Sequence, residues 1–123
     1  MRRLLVLSLV LLAAGCGSRS TDHWLTQLKD PDVVKRRQAV RELGEQSSEA
    51  EKIVPALVEA LRDQSAYVRH DSATALGKFG PQARSAVPAL SAALSDKDAN
   101  VRRMAEAALK KIRPQATANT TRG

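Results

Sequence analysis

The apolar and polar positions of this chain recur with a period of 33 residues. The stretch Val54-Pro55-Ala56-Leu57 returns as Val87-Pro88-Ala89-Leu90, and Val68-Arg69 returns as Val101-Arg102. A fixed period of this length is typical of stacked helical repeats, in which each unit buries its apolar side against the next one. We therefore expect copies of one structural unit along the chain. They cover about residues 22–46, 50–80 and 83–113.

Each copy is predicted to form two helices joined by a short polar turn. In the second copy the first helix covers about Lys52 to Arg62, with Pro55 in its first turn, where the absent N–H would have no partner in any case. The second helix covers about Ala66 to Phe79 and ends at Gly80-Pro81. Its apolar residues follow helical spacing, and no alternating strand pattern occurs along the chain.

The turn and the second helix of each copy carry a specific motif. Asp63-Gln-Ser-Ala-Tyr-Val-Arg69, followed by Ala73-Thr-Ala-Leu-Gly77, resembles a HEAT repeat of the type found in phycobilin lyase subunits. This resemblance implies an all-α fold, a short right-handed α-solenoid of about three helix pairs. It also implies that recurring aspartates and arginines form a ladder of hydrogen-bonded pairs between successive turns, so we interpret them as structural. These residues are Asp30, Asp63 and Asp96 with Arg36, Arg69 and Arg102.

Both ends of such a solenoid lack a neighbouring repeat and must be adapted to water. In the first copy Lys35 and Glu42 occupy positions that are apolar in the other copies, which suits a terminal unit. Trp24 aligns with leucines of the later copies, so we expect it to pack in the core or to cover the end of the stack. The segment 114–123 is polar and aperiodic and is predicted to be disordered.

The first residues of the chain are typical of a secretory signal. Arg2 and Arg3 precede the apolar run Leu4 to Leu12, which is too short to span a bilayer, and small residues lead into Cys16. Leu12-Ala-Ala-Gly-Cys16 resembles the lipobox of bacterial lipoproteins, although Ala13 stands where leucine is usual. The resemblance implies removal of residues 1–15 and acylation of Cys16, and two or more acyl chains anchor a protein stably.

This lipidation would place the domain at the cell envelope. Residues 16–21 would be a tether with a reach of under about 20 Å, so the domain would lie close to the lipid headgroups. Gly17 follows the cysteine in place of aspartate, which by family rules implies sorting to the periplasmic face of an outer membrane where the cell has one. Cleavage before Cys16 would also lower the formal net charge from +7 to +5, because two arginines are lost.

Composition narrows the classes of function. One Trp, one Tyr and one Phe leave few side chains for base stacking, which argues against single-stranded nucleic acid as a ligand. The chain has one cysteine, the predicted lipidation site, and two histidines, His23 and His70, without the His-Glu pairs that bind iron in HEAT-repeat hydroxylases. We therefore expect no enzyme activity, no metal and no cofactor.

Basic residues recur on the side of the second helices that points away from the apolar stripe. Residues two positions from Ser72 lie about 160 to 200 degrees from it, and the 33-residue step extends them into two rows without an acidic residue. Because second helices line the concave side of HEAT solenoids, this resemblance implies a basic concave stripe, unless it is only a solvated face. The predicted partner-binding residues are Arg37, Arg41, His70, Arg103 and Lys110.

Three functions are consistent with this pattern. The first is a protein-interaction scaffold of the envelope, tethered by its lipid and binding a partner with an acidic surface. The second is an accessory or chaperone-like subunit of a cofactor-protein or lyase system, and the third is an anion or nucleic-acid binder, which steep salt dependence would reveal. The open C-terminal end around Met104 and Ile112 is a further candidate surface, for self-association.

Overall fold

The computed structural model describes residues 19–113, and this part of the chain folds into helices without a β-strand. The predicted signal segment 1–15, Cys16 and the tail 114–123 lie outside the described residues. Two short 3-10 segments, Ser47–Glu49 and Gly80–Ala86, connect the repeats. The α-helices are α1 (Thr21–Gln27), α2 (Val33–Gly44), α3 (Ala50–Ala60), α4 (Ala66–Phe79), α5 (Val87–Ala93) and α6 (Ala99–Ile112).

The helices pair as the 33-residue period predicts. The second helices α2, α4 and α6 pack side by side in one layer, and α1, α3 and α5 pack against them in another. The all-α solenoid of three helix pairs is therefore confirmed. No helix within residues 19–113 is long and apolar enough to cross a membrane.

The helix ends follow from residues in the turns. The Asp32 side chain accepts a hydrogen bond from the N–H of Val34 at the start of α2, and Asp98 caps α6 in the same way. Gly80 ends α4 with φ +58°, a conformation that side-chain-bearing residues rarely adopt. Helix α3 begins at Ala50, two residues earlier than predicted. Pro55 consequently lies in the second turn, not the first, and the carbonyl of Glu51 loses its usual helical donor.

The core consists of apolar residues at equivalent positions of the three repeats. Trp24 is 5% exposed and occupies the place that the fully buried Leu57 and Leu90 hold in the later copies. Lys35 and Glu42 are exposed at the N-terminal end of the described stack. Trp24 is therefore a core residue, and the polar substitutions of the first copy lie on the surface.

Arginines and aspartates link neighbouring repeats. Arg36 Nε and Nη2 donate to the carboxylate of Asp63 over 2.9 and 3.1 Å, and Arg69 repeats this geometry on Asp96 at the same distances. Nη1 of each arginine also donates to backbone carbonyls of its own turn. The side chains of Arg69 and Asp96 are only 7% and 12% exposed. These two pairs form the predicted ladder, and we call each pair with its turn a ladder step.

The ladder alters the acid–base behaviour of its members. The hydrogen bonds from Arg69 lower the pKa of Asp96 from its ordinary value of 3.8, against the opposing effect of burial, and the N–H of Asp98 adds to the decrease. The pKa of Asp96 is lower in the folded chain than in the unfolded chain. At pH values between these two pKa values the unfolded chain therefore binds more protons than the folded one. The ladder step therefore stabilises the fold above about pH 4, and this contribution is lost as pH falls through the folded-state value.

Substitution of Leu76 tests which side of α4 packs into the core. Leu76 is fully buried, so Leu76→Ala should lower the free energy of unfolding by about 2–5 kcal/mol, because the cavity cannot be filled. Thr74 lies on the other side of the helix and is half-buried, with its hydroxyl bonded to the carbonyl of His70, so Thr74→Ala should cost about 1 kcal/mol or less. Denaturant unfolding of the two variants measures both free-energy losses. Equal losses would contradict this orientation of α4.

Candidate interaction surface

The layer of second helices carries every residue of the predicted basic stripe. Arg37 and Arg41 lie one turn apart on α2, His70 lies on α4, and Arg103 and Lys110 lie on α6. The structure brings the first three together and separates them from the last two. Arg37, Arg41 and His70 all contact one carboxylate, whereas Arg103 and Lys110 have partners within their own helix.

The carboxylate at the centre of this group belongs to Asp71. Its Oδ2 lies 2.9 Å from Nε of Arg37 and 3.4 Å from Nε of Arg41, and its Oδ1 lies 3.2 Å from Nδ1 of His70. The Asp71 side chain is only 10% exposed. A buried carboxylate requires such partners, because leaving it without them would be costly. Asp71 therefore fixes the positions of the side chains around it.

The pattern of the sequence did not predict Asp71 as a site residue, because Asp71 belongs to neither of the two rows of basic positions. The 33-residue step places it with Gln38 and Met104, so it has no acidic counterpart in the other repeats. Its partner Arg37 precedes it by 34 residues, an interval unlike the 27 residues of each ladder pair. Only the side-by-side packing of α2 and α4 reveals this contact.

All five residues lie on the layer of second helices, and a continuous basic stripe across them stays a prediction. The Nζ atom of Lys110 pairs with Glu106 over 3.0 Å on the exposed side of α6, and Arg103 donates to the Asn100 side chain. Asp71 pairs with Arg37 and Arg41 of α2, while the arginines and lysines of α6 are exposed. The prediction of an exposed C-terminal surface around Met104 and Ile112 needs correction. Ile112 is 1% exposed and packs into the core, and Met104 is half-buried.

A groove of about 440 Å³ lies between α2, α4 and the start of α6. Tyr67 forms its apolar part and is 68% exposed, with the guanidinium carbon of Arg37 5.0 Å from the centre of its ring. This cation–π contact holds the ring against the surface of the domain. We call this site the Tyr67 groove. Its lining residues are Arg37, Arg41, Ala66, Tyr67, His70, Asp71, Asp98 and Asn100.

The charged side chains of the Tyr67 groove differ in how far they are already paired within the protein. Asp71 is shared by three side chains, and Asp98 caps α6 by accepting from the N–H groups of Asn100 and Val101. Arg41 has a 64% exposed side chain and a single longer contact with Asp71. The acidic residues of the groove are therefore engaged within the protein, while the Arg41 guanidinium faces solvent and can donate to an external carboxylate.

A second groove, of about 460 Å³, lies on the layer of first helices. Its charged residues include Lys52, which pairs with Asp22, and Asp63, which is held by Arg36 in the ladder. This groove contains no exposed aromatic side chain and no arginine. The Tyr67 groove is consequently the better candidate for binding another molecule.

The described residues show no cluster of metal ligands, and their buried polar side chains are all paired. Within 19–113 there is no group of three or more His, Cys, Asp or Glu side chains that could hold a metal ion. Every buried side-chain nitrogen and oxygen in this range has a hydrogen-bond partner. The arrangement at the Tyr67 groove can bind acidic and apolar groups.

Comparison with known proteins agrees with this architecture. The family model for HEAT repeats matches residues 21–110, so the chain belongs to the HEAT-repeat family. Among solved structures, a chain from the complex of CpcE and CpcF of phycocyanin lyase from Nostoc sp. PCC7120 is 29% identical and superposes with a TM-score of 0.71. The match covers 79% of this chain but only 38% of that one. No curated protein matches the sequence significantly.

Proposed function

We propose that this protein is a non-catalytic protein-interaction scaffold, held at the cell envelope by a lipid on Cys16, and that it binds an acidic partner through the Tyr67 groove. The observation that carries this proposal is the 68% exposed Tyr67 beside the 64% exposed Arg41, in a groove between packed helices. Membership of the HEAT-repeat family supports a binding role, since such solenoids offer extended surfaces to other proteins.

The chemistry of the groove defines the kind of partner it fits. Tyrosine and arginine are the residue types that most often dominate binding energy at protein interfaces. Tyr67 offers a flat apolar surface, and Arg41 offers guanidinium N–H groups for a carboxylate. The partner is an acidic segment with an apolar side chain near its carboxylate, so that both contacts form together.

The position of the anchor is part of the same proposal. Cys16 and the acylation that the lipobox resemblance implies precede the described residues, and α1 begins at Thr21. A tether this short would hold the Tyr67 groove near a membrane, at the periplasmic face of an outer membrane where the cell has one. The partner is therefore an envelope protein.

An accessory role in a lyase system is the second candidate. It is favoured by the structural similarity to a chain of the phycocyanin lyase complex, in which two different subunits assemble. This chain spans 38% of that chain, so the similarity concerns the repeats and their stacking. Purification of the protein from its native host, with an absorption spectrum of the co-purifying material, distinguishes the two: a bound pigment protein favours the accessory role.

The Tyr67 groove is tested by site-specific photo-crosslinking in the native host. A photoreactive amino acid at position 67 should crosslink one envelope protein, identified by mass spectrometry, and Arg41→Glu should reduce this product about tenfold or more, because it places a carboxylate opposite the acidic partner. Arg37 is less suitable for this exchange, because its side chain is only 32% exposed and lies 2.9 Å from the buried Asp71, whereas the Arg41 side chain is 64% exposed and 3.4 Å away, so a glutamate there can turn to solvent.

The matched control carries Arg62→Glu, which makes the same charge change at an exposed arginine after α3. It should leave the crosslinked product and the melting temperature unchanged. A product that survives Arg41→Glu, or that forms equally from a photoreactive residue at position 62, would exclude the groove as the binding site.

Lipidation is tested separately by metabolic labelling with a fatty acid analogue. The mature protein should carry the label and fractionate with the outer membrane of a two-membrane cell, and Cys16→Ser should abolish both results because no thiol remains to be acylated. Ser18→Ala serves as the control, since it changes a neighbouring residue without removing the thiol. Label that persists in Cys16→Ser would contradict the lipid anchor, whatever the outcome at the Tyr67 groove.

A further inference from the structure

Two exposed apolar side chains lie at the same position of consecutive repeats. Val34 and Tyr67 are each the second residue of their second helix, one 33-residue period apart, and each is 68% exposed. Of the large apolar side chains in the part of the chain that the structure describes, Leu94 is the other exposed one, at 42%. Single exposed apolar residues are ordinary on a protein surface, but a pair that recurs with the repeat forms a row across neighbouring helices.

Arg37 joins the two side chains of this row. It lies one turn after Val34 on α2, and its guanidinium carbon lies 5.0 Å from the centre of the Tyr67 ring on α4. The methylene stem of Arg37 therefore adds apolar surface between the two helices. In the third repeat the equivalent position is Asn100, whose side chain accepts a hydrogen bond from Arg103, so the row ends at α4. We call Val34, the stem of Arg37 and Tyr67 the apolar row.

Arg41 lies on the same side of α2 as Val34. Seven residues separate them, which is close to two helical turns and a rise of about 10.5 Å along the axis. The Arg41 side chain is 64% exposed, and its single contact with Asp71 measures 3.4 Å. An occupant of this surface therefore meets the apolar row on one flank and a cation on the other. A helix with its side chains is about 10–12 Å across, so one helix lying across α2 and α4 contacts both flanks.

The backbone of the occupant also favours a helix. An extended segment needs hydrogen-bond partners for its N–H and C=O groups wherever another surface covers them. Beyond their first turns, α2 and α4 use their own N–H groups internally. The carboxylate of Asp71, in the middle of the groove, is already shared by three side chains. A helical segment satisfies its own backbone and needs only side-chain contacts with this surface.

We propose that the acidic partner binds as an amphipathic α-helix, which crosses α2 and α4 and places two apolar residues, seven positions apart, on Val34 and Tyr67. This inference rests on the proposed function and names the form of the partner. Packed helices lie about 8–10 Å apart, and residues i and i+7 of a helix lie about 10.5 Å apart on one face. The carboxylates of the partner helix lie on the flank that faces Arg41.

Photo-crosslinking at two positions, with both sites mapped in the partner, tests the proposal. A diazirine amino acid is placed at position 34 in one strain of the native host and at position 67 in another. Both should label the same protein, and mass spectrometry of the crosslinked peptides should place the two sites six to eight residues apart. Any other spacing would overturn the proposal. An extended segment would separate the sites by about three residues, since each residue advances the chain by about 3.3 Å.

The two positions also separate this inference from the proposed function. Labelling of one envelope protein from position 67, dependent on Arg41, without labelling from position 34, would retain the Tyr67 groove and overturn the crossing helix. Absence of labelling from both positions would overturn both proposals.

Substitution of Val34 checks the contact without a photoreactive group at that position. Val34→Ser should lower the product formed from position 67 about tenfold, because the partner loses an apolar contact, and Val34→Ile should preserve it. Val34 is exposed, so both variants are expected to fold, and circular dichroism verifies this. Leu94→Ser makes the matched change at another exposed apolar residue and should leave the product unchanged. A product that Val34→Ser does not lower, or that Leu94→Ser lowers equally, would overturn the proposal.

Discussion

The arginine–aspartate ladder is the interaction on which the arrangement of the repeats depends. Each complete step joins a turn to the next repeat through two hydrogen bonds from a guanidinium to a carboxylate, and it joins the same guanidinium to two carbonyls of its own turn. A helix pair cannot bury its apolar side alone, so the relative position of neighbouring pairs decides whether a core forms. The ladder sets that position with charged groups that are themselves largely buried, and such groups tolerate little displacement.

The Tyr67 groove also depends on the way in which the ladder positions neighbouring repeats. Because the ladder and the close approach of Gly44 to Ala75 hold α2 and α4 together, side chains separated by about one repeat can meet. Arg37 reaches Asp71 for this reason, and Tyr67 is held beneath Arg37. The Tyr67 groove is thus a product of stacking, built from residues of α2, α4 and the start of α6, which are distant from one another in the chain. Arg102, in the last described repeat, donates to the carbonyls of Asp96 and Lys97 in its own turn.

Much of the fold could be predicted from the sequence because periodic packing leaves a periodic pattern. Trp24, Leu57 and Leu90 occupy one core position, and Asp63 with Arg69 marks a turn whose partners recur. Features that occur once were harder to predict. Asp71 has no equivalent in the other repeats, and the early start of α3 depends on the 3-10 segment before it. Ile112 was predicted at an open end, but it is 1% exposed and belongs to the core.

The central claim, that the ladder couples the repeats, is tested most directly by a double-mutant cycle of Arg69→Met and Asp96→Asn in denaturant unfolding. Arg69→Met should cost about 3–5 kcal/mol at about pH 7, because it leaves a buried carboxylate unpaired, and the double variant should cost less than the sum of the singles by about 1–3 kcal/mol. The loss from Arg69→Met should shrink as pH falls from the ordinary pKa of 3.8 through the lowered folded-state pKa of Asp96, because the carboxylate that Arg69 holds is then protonated. Arg102→Met, which removes only the contacts of an arginine with its own turn, should cost about 1 kcal/mol. Additive single effects, or equal losses from Arg69→Met and Arg102→Met, would contradict the claim.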